Sequence, residues 1–412
     1  MISQTNKNSY ALIFQDEKIS FDQLNHLIEK KIPELTHDKI EFIKASNTLE
    51  CIVSILSALK ADKPIALFSE NITEKKYKNS AEFILKSSLH PDTALILFTS
   101  GSSGDSKMVQ LSHKNIKANT KAVIEALDFD KIEVQALFLP LSYSYGLLGQ
   151  LLPALTLGKT TYVLDHMIKI KSLVENNLVQ MISAVPSQHI VLLKILNDTK
   201  ALSHIISAGA PLYLNLRREL VKKYSHGTIY NNYGQTELSP RALSLKSSDP
   251  DFLTDATGRV VRGLEYKINP EGELLFKGEQ VMLGYLGESE NKSQWHNTGD
   301  LALDDNGLIT IQGRKDALVK IAGQRVSLKF LEAIIEKESS VNHAAVLYKE
   351  DELYGQKLFL FYEGSLLEKE ILEIFKLESG LSIIPEEIIK LDQFPKNSNG
   401  KIDYLNLKER LK

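Results

Sequence analysis

Between about residue 94 and residue 233, short apolar runs alternate with longer amphipathic stretches. The runs ALILF, ALFLP, TTYVL, VQMISAV, HIISA and GTIYNN have strand length. NIKANTKAVIEAL and NLRRELVKKY between them repeat apolar positions at helical spacing. That alternation predicts βαβ units and largely parallel sheet. SILSALKA followed by KPIALF carries the same architecture into the first 90 residues. Residues 256 to 312 change character: GRVV, EYKINP, GELLFKG and GLITIQG, separated by Gly, Pro and Asn-Gly, predict a small β-rich unit. After Gly313 the α/β pattern returns as ALVKIAG, a helix at SLKFLEAIIEKESS, strands at HAAVLY and KLFLFYEG, and a helix at LEKEILEIFKL. From 394 the tail reads as a polar loop with a basic end. The expected fold is α/β. An N-terminal domain covers 1–315, with its β-rich part at about 256–312, and a small α/β domain covers 316–412.

One apolar run leads into unusual chemistry. In ILFTSGSSGDSKM the strand ends at Thr99, Ser100, Gly101, Ser102, Ser103 and Gly104, with Lys107 beyond. Glycines let backbone N–H groups turn inward as a nest for an anion. The hydroxyls add donors and the lysine adds charge, which suits a polyphosphate. The spacing Gly101-x-x-Gly104-x-x-Lys107 is not that of a Walker loop. The segment alone is equally compatible with a flexible surface loop.

Composition narrows the classes. At 412 residues, 43% hydrophobic and 25% charged, the chain reads as a globular protein of two or three domains. A net charge of -3 gives no reason to expect nucleic acid or an anionic membrane. The single cysteine, Cys51, excludes an internal disulfide and a multi-cysteine metal site. MISQTNKNSY has no basic region followed by an apolar run, so no signal peptide is read there and a cytoplasmic location is expected. Residues 134 to 158 carry no charge and could span a bilayer. Pro140, Pro153, Gln135 and Gln150 within them fit a strand, a turn and a buried helix better, so no membrane insertion is expected.

Five further segments, together with TSGSSGDSK, resemble one family. They are Ser207-Ala208-Gly209-Ala210-Pro211-Leu212; Asn232-Tyr233-Gly234-Gln235-Thr236-Glu237; Gly272-Glu273-Leu274 with Gly278 and Gly284-Tyr285, then Thr298-Gly299-Asp300; Gly313-Arg314-Lys315-Asp316 with Lys320, Gly323 and Arg325; and Pro395 with Asn399-Gly400-Lys401-Ile402-Asp403. In this order they resemble the motif set of the adenylate-forming enzymes, which include acyl-CoA and aryl-CoA synthetases, adenylation domains and firefly luciferase. The resemblance covers nearly the whole chain.

It implies an acid–thiol ligase. A carboxylate joins the α-phosphate of ATP, pyrophosphate leaves, and the thiol of CoA or of a carrier protein's phosphopantetheine takes the acyl group. By resemblance, Thr99 to Gly104 and Lys107 cradle the phosphates. Gly209, Ala210 and Pro211 line the adenine slot, with Asn232, Tyr233 and Gly234 beside it. Thr236 bonds the α-phosphate and Glu237 holds Mg²⁺. Asp300 accepts from the ribose hydroxyls and Arg314 faces the ribose. Lys401 bridges the carboxylate and the α-phosphate, and Asp316 is the hinge of a mobile C-terminal domain. Singly, each has a plainer reading. Glu237 could be a helix-start charge, Asp300 and Asp316 turn residues, and Lys401 a solvated side chain.

The chain also departs from the family. Ser106-Lys107-Met108 replaces Pro-Lys-Gly, Tyr143 stands where a histidine is usual, Ser327 replaces an acid, and the first subdomain is short. Tyr143, Tyr145 and Asn231 are expected in the acid pocket. Amino-acid-activating relatives place an aspartate in the segment matching SYSYG, which here has none. An unpaired buried ammonium is costly, so an aromatic or short-to-medium acyl acid is expected. A nucleotide-binding regulator with a degenerate site and an unrelated ATPase are the alternatives; intact Glu237, Asp300 and Lys401 argue against the first, and the missing Walker spacing against the second.

Overall fold

Side-chain caps mark where strands turn into helices. Ser20 and Gln23 close a capping box at the start of Phe21–Lys31. Thr48 caps Leu49–Lys60, and Ser112 with Asn115 boxes His113–Ala126. Each satisfies N–H groups that a first turn leaves open. The structure, a computed structural model, describes residues 10–411 apart from 16, 37, 100–106, 198–199, 289–293, 316–317, 322–323, 339, 352–354, 379–383 and 398–401.

The strands form two large sheets. A nine-stranded sheet runs in the order Arg259–Val260, Arg241–Lys246, Thr228–Gly234, His204–Ser207, Met181–Ala184, Val134–Leu137, Thr160–Val163, Tyr10–Ile13 and Lys18–Ser20. It is parallel from the Thr228 strand to the Tyr10 strand and antiparallel at both ends. Its central strands Met181–Ala184 and His204–Ser207 are buried at every position, which is why they read as largely apolar runs without alternation. A five-stranded sheet holds Gly284–Tyr285, Met108–Ser112, Thr93–Phe98, Ile65–Ser69 and Glu41–Ala45. One large apolar cluster, from Ala11 to Ala256, draws on both sheets. The alternation from 94 to 233 is thus divided between two sheets: ALILF belongs to the five-stranded one, beside the strand of KPIALF.

The β-rich part is a four-stranded antiparallel sheet of Leu264–Ile268, Glu273–Gly278, His296–Asp305 and Leu308–Arg314. Beyond it, Leu318–Ile321 pairs with Gln324–Ser327. The helices Leu328–Glu336 and Glu368–Glu378 accompany a sheet of Val341–Asp351, Gly355–Gly364 and Glu387–Lys390. Two apolar clusters there use only residues after 327.

One expectation changes and one holds. The tail is not all loop: Asp403 accepts from the N–H groups of Leu405 and Asn406 and starts a helix at Tyr404–Glu409. Leu407 of that helix is fully buried, and its burial holds the turn in place. The charge-free stretch after 134 is a strand, the turn Ser144–Gly146, a π-type turn Leu147–Leu151 and the helix Leu152–Leu157. No helix among the described residues is long and apolar enough to cross a membrane.

Candidate active site

The strand Thr228–Gly234 delivers four expected site residues to one edge of the nine-stranded sheet. It ends at Gly234, where an added Cβ would lie 1.7 Å from the Pro240 carbonyl oxygen. Only glycine lets the chain pass Pro240 and enter the single turn Thr236–Leu238. The neighbouring parallel strand His204–Ser207 ends beside it, with Ser207 opposite Asn231. The loop of Gly209, Ala210 and Pro211 follows, partly exposed, with Gly209 at φ +86°. Carboxyl ends of parallel strands are where open α/β sheets take ligands.

Asp300 lies inside the strand His296–Asp305 and is buried. Its Oδ2 accepts from Tyr233 Oη at 2.5 Å and from Gln235 Nε2 at 2.7 Å. Arg314 Nη1 stands 3.8 Å from Oδ1 and donates to the Thr298 carbonyl at 2.9 Å. Burial, and then the Asp300 charge, push the Tyr233 phenol far above its ordinary value, so it stays a donor. Gln235 also donates to the Thr298 carbonyl, and its Oε1 is 3.3 Å from His296 Nε2. Burial holds the His296 imidazole below its ordinary pKa. Gly299 sits at φ +72°, and a Cβ there would come within 2.8 Å of the Arg314 guanidinium. The buried Glu273 receives the Gly299 N–H at 3.1 Å and pairs with Lys315 at 3.0 Å. Burial opposes its ionisation, but the Lys315 and Gly299 hydrogen bonds hold its carboxyl below the usual range.

A second group links Glu237 to the Ser/Gly loop. Tyr285 Oη donates to Glu237 Oε1 at 2.7 Å. Lys107 Nζ lies 4.1 Å above the Tyr285 ring centroid and 3.4 Å from the Glu288 carboxylate. The Thr99 N–H donates to the Lys107 carbonyl at 3.0 Å, closing the base of a hairpin between Thr93–Phe98 and Met108–Ser112. Thr236 Oγ1 is 3.2 Å from Ser144 Oγ, beside Tyr143 and Tyr145. Tyr145 Oη donates to the Ile206 carbonyl.

The expected residues thus fall into three classes. Tyr233, Asp300 and Arg314 meet in one cluster, while Thr99, Lys107 and Glu237 converge through Tyr285. Asn231 stands apart: its amide donates to the Thr257 carbonyl, and strand alternation turns it from the face carrying Tyr230. That face joins Tyr145 in an apolar cluster with Met181 and Ile206, and Asn232 shares it. Ser100, Gly101, Ser102, Ser103, Gly104, Asp316 and Lys401 lie outside the described residues. Gln235, His296, Tyr285 and Ser144 were assigned no role from sequence. Gln235 and Tyr285 sit inside quoted motifs, which was the available signal; His296 and Ser144 offered none beyond proximity.

Among the described residues no three His, Cys, Asp or Glu side chains gather as a metal site. A single half-buried carboxylate at Glu237 fits a hard cation that takes most of its oxygens from phosphates and water.

A mixed α/β fold that gathers these side chains at the carboxyl ends of parallel strands has the layout of nucleotide- and ligand-binding α/β enzymes. The chain is a member of the AMP-binding enzyme family, whose model matches residues 31–286. It is 27% identical over 362 residues to a 4-coumarate–CoA ligase-like protein of Arabidopsis thaliana, covering 80% of this chain and 65% of that one. It therefore spans just under two thirds of that plant relative. It is 26% identical over 425 residues to the D-alanine–D-alanyl carrier protein ligase of Staphylococcus aureus, covering 96% and 83%. ATP-bound MatB from Rhodopseudomonas palustris has the same fold, with a TM-score of 0.85 at 20% identity over 99% of this chain and 97% of that one.

Proposed function

We propose that the chain is an ATP-dependent carboxylic acid ligase. It forms an acyl-adenylate and passes the acyl group to the thiol of CoA or of a carrier protein's phosphopantetheine. The observation that carries this reading is the convergence on Glu237: Tyr285 bonds its carboxylate and supports Lys107 at the closed base of the Ser/Gly loop. One edge thus gathers a carboxylate for a cation, a cation for phosphate, and, through Ser144, a hydroxyl pair with Thr236.

In this reading Asp300, held by Tyr233 and Gln235, accepts the ribose hydroxyls. Gly209 to Pro211 line the adenine slot, with Asn232, Tyr233 and Gly234 against it and Arg314 at the ribose. Thr236 donates to the α-phosphate, where charge develops as pyrophosphate leaves. Mg²⁺ at Glu237 would neutralise phosphate charge. Lys401 is the cation that bridges carboxylate and α-phosphate. Asp316 is the hinge between residues 1–315 and a mobile unit at 316–412. Tyr143 and Tyr145 wall the acid pocket, and Asn232 replaces Asn231 in it. The setting is cytoplasmic. No carboxylate lies in Ser142–Gly146 to pair with an α-ammonium, so the acid is aromatic or short-to-medium acyl and not an α-amino acid.

The test is ATP–pyrophosphate exchange across a panel of acids with and without Mg²⁺. Acid-dependent exchange that stops in chelator is expected. ATP binding without exchange in the presence of any acid would leave a nucleotide-binding regulator as the better account.

A further inference from the structure

Arg241 opens the strand Arg241–Lys246 and is 1% exposed, the bulkiest side chain in the interior. Its Nε and Nη2 have no hydrogen-bond acceptor among the described residues. The one titratable group bearing on it is Tyr145, whose ring centroid lies 5.4 Å from the guanidinium carbon. The Tyr145 ring face attracts the charge, and among the described residues its phenol oxygen is the one side-chain acceptor beside the guanidinium, which leaves Nε and Nη2 unmet. Burial holds the Arg241 pKa below its ordinary value.

A second buried arginine shows how this fold treats a guanidinium that serves packing alone. Arg217 donates through Nε to the Leu212 carbonyl at 2.7 Å. Its Nη1 donates to the carbonyls of Phe252, Thr254 and Ala256 at 2.9, 3.0 and 2.8 Å. Arg241 has no such set.

Other open polar atoms share its face of the sheet. Ser183 stands opposite Ile206, and Ile206 opposite Tyr230; two residues on, Asn232 stands opposite Ser244. Alternation therefore puts Ser183, Asn232 and Ser244 on the Tyr230 face, the face of Tyr145. Ser244 Oγ and Asn232 Oδ1 are also buried without partners among the described residues, and Ser183 Oγ has only the Tyr145 hydroxyl beside it. Gly149 lets these side chains pack close to its helix: a Cβ there would come 3.1 Å from the Tyr145 ring and 3.6 Å from Arg241 Nη2. A buried guanidinium with unmet donors describes a place for an anionic partner. Its position follows from Tyr145: the adjacent Ser144 touches Thr236, at the proposed adenylation point.

We propose that Arg241 pairs with a second carboxylate of the acid substrate, so that this ligase activates one end of a dicarboxylic acid. The inference rests on the adenylation reading above. A guanidinium meets a carboxylate with two parallel N–H donors. A cation in this position also repels an α-ammonium, in keeping with the absence of an acid from Ser142–Gly146.

The test is pyrophosphate exchange with matched pairs of acids: α,ω-dicarboxylates of three to eight carbons, an aromatic dicarboxylate, and the monocarboxylates of equal length. Wild type should prefer a diacid over its matched monoacid by at least about 100-fold in kcat/KM, as sites built around a polar partner do. Arg241→Gln should lose most of that ratio and gain or hold its rate with the monoacid, with circular dichroism checking the fold. If the variant does not fold, the wild-type panel alone decides. Wild-type exchange equally fast with monoacids overturns the inference and leaves adenylation standing. A folded Arg241→Gln with an unchanged ratio also overturns it. Exchange with no acid of either series removes the adenylation reading and this one with it.

Discussion

Replacing Gly234 with alanine tests the geometry on which the whole site hangs. The new Cβ would stand 1.7 Å from the Pro240 carbonyl oxygen, 2.8 Å from its carbon and 3.2 Å from Arg241 Cα. All three atoms are backbone, so no side chain can rotate away. Tolerable contact begins at 3.0 Å and ordinary contact at 3.4 Å, so the two chain segments must part by about 1.3–1.7 Å. Forcing one carbon into a packed site costs about 1–3 kcal/mol. At roughly 2–4 °C per kcal/mol for a large domain, Tm should fall by about 2–12 °C. The rate should suffer more. The displaced segments carry Tyr233, Gln235, Thr236 and Glu237 on one side and Arg241 on the other, and a misplacement of about 1 Å costs on the order of 100-fold. The assay is pyrophosphate exchange at a temperature where circular dichroism shows the variant folded. A variant with Tm within about one degree of wild type and undiminished exchange would show that the two segments do not cross as described.

Three further outcomes are expected. Asp300→Asn should weaken nucleotide binding by about 10- to 100-fold, from a charged hydrogen bond worth about 1.5–3 kcal/mol. Calorimetry should find the same loss for adenosine, AMP and ATP, and a loss confined to ATP would remove Asp300 from the ribose. Lys401→Ala should cut exchange by about 10²–10³-fold yet spare thioester formation from supplied acyl-adenylate; equal loss of both in a folded protein contradicts the assigned role. Glu336, buried beside Tyr213 and near Glu332, Lys329 and Tyr404, has its carboxyl pushed up to about 8 by burial, against the pull of the Ala344 N–H. Folded protein then holds this proton more tightly than unfolded protein does, so stability falls as pH rises from about 4.5 toward 8. Glu336→Gln should flatten Tm over that range, and a slope parallel to wild type would refute the shift.

Much of the architecture was legible because the strands are either buried on both faces or periodic. Met108–Ser112 was not recognised as a strand, since MVQLS mixes polar and apolar residues. Its Gln110 is buried all the same, where Oε1 accepts from Thr93 Oγ1 and the His90 N–H. The site motifs were legible through their order along the chain. Which of Asn231 and Asn232 faces Tyr145 was not, because adjacent residues on a strand differ only by register. Arg241 was the least visible: LSPRALSLK reads as a polar turn into a strand, and only the folded sheet shows that its guanidinium points inward. The tail helix was obscured by the Asn and Gly that precede it.

Both large sheets are finished by partners distant in the chain. Tyr10–Ile13 pairs with Thr160–Val163, and Met108–Ser112 takes Gly284–Tyr285 as its outer neighbour. On a ribosome the first strand must therefore wait for about 150 more residues, roughly 10–30 s at ordinary rates of synthesis. During that interval Ala11 and Leu12, fully buried at the end, sit in a hairpin with Lys18–Ser20 whose other edge is open to capture. Yield in the cell is thus tied to the pace of translation between these segments and to whatever shields the nascent chain, and slowing the ribosome just after residue 165 should favour the native pairing.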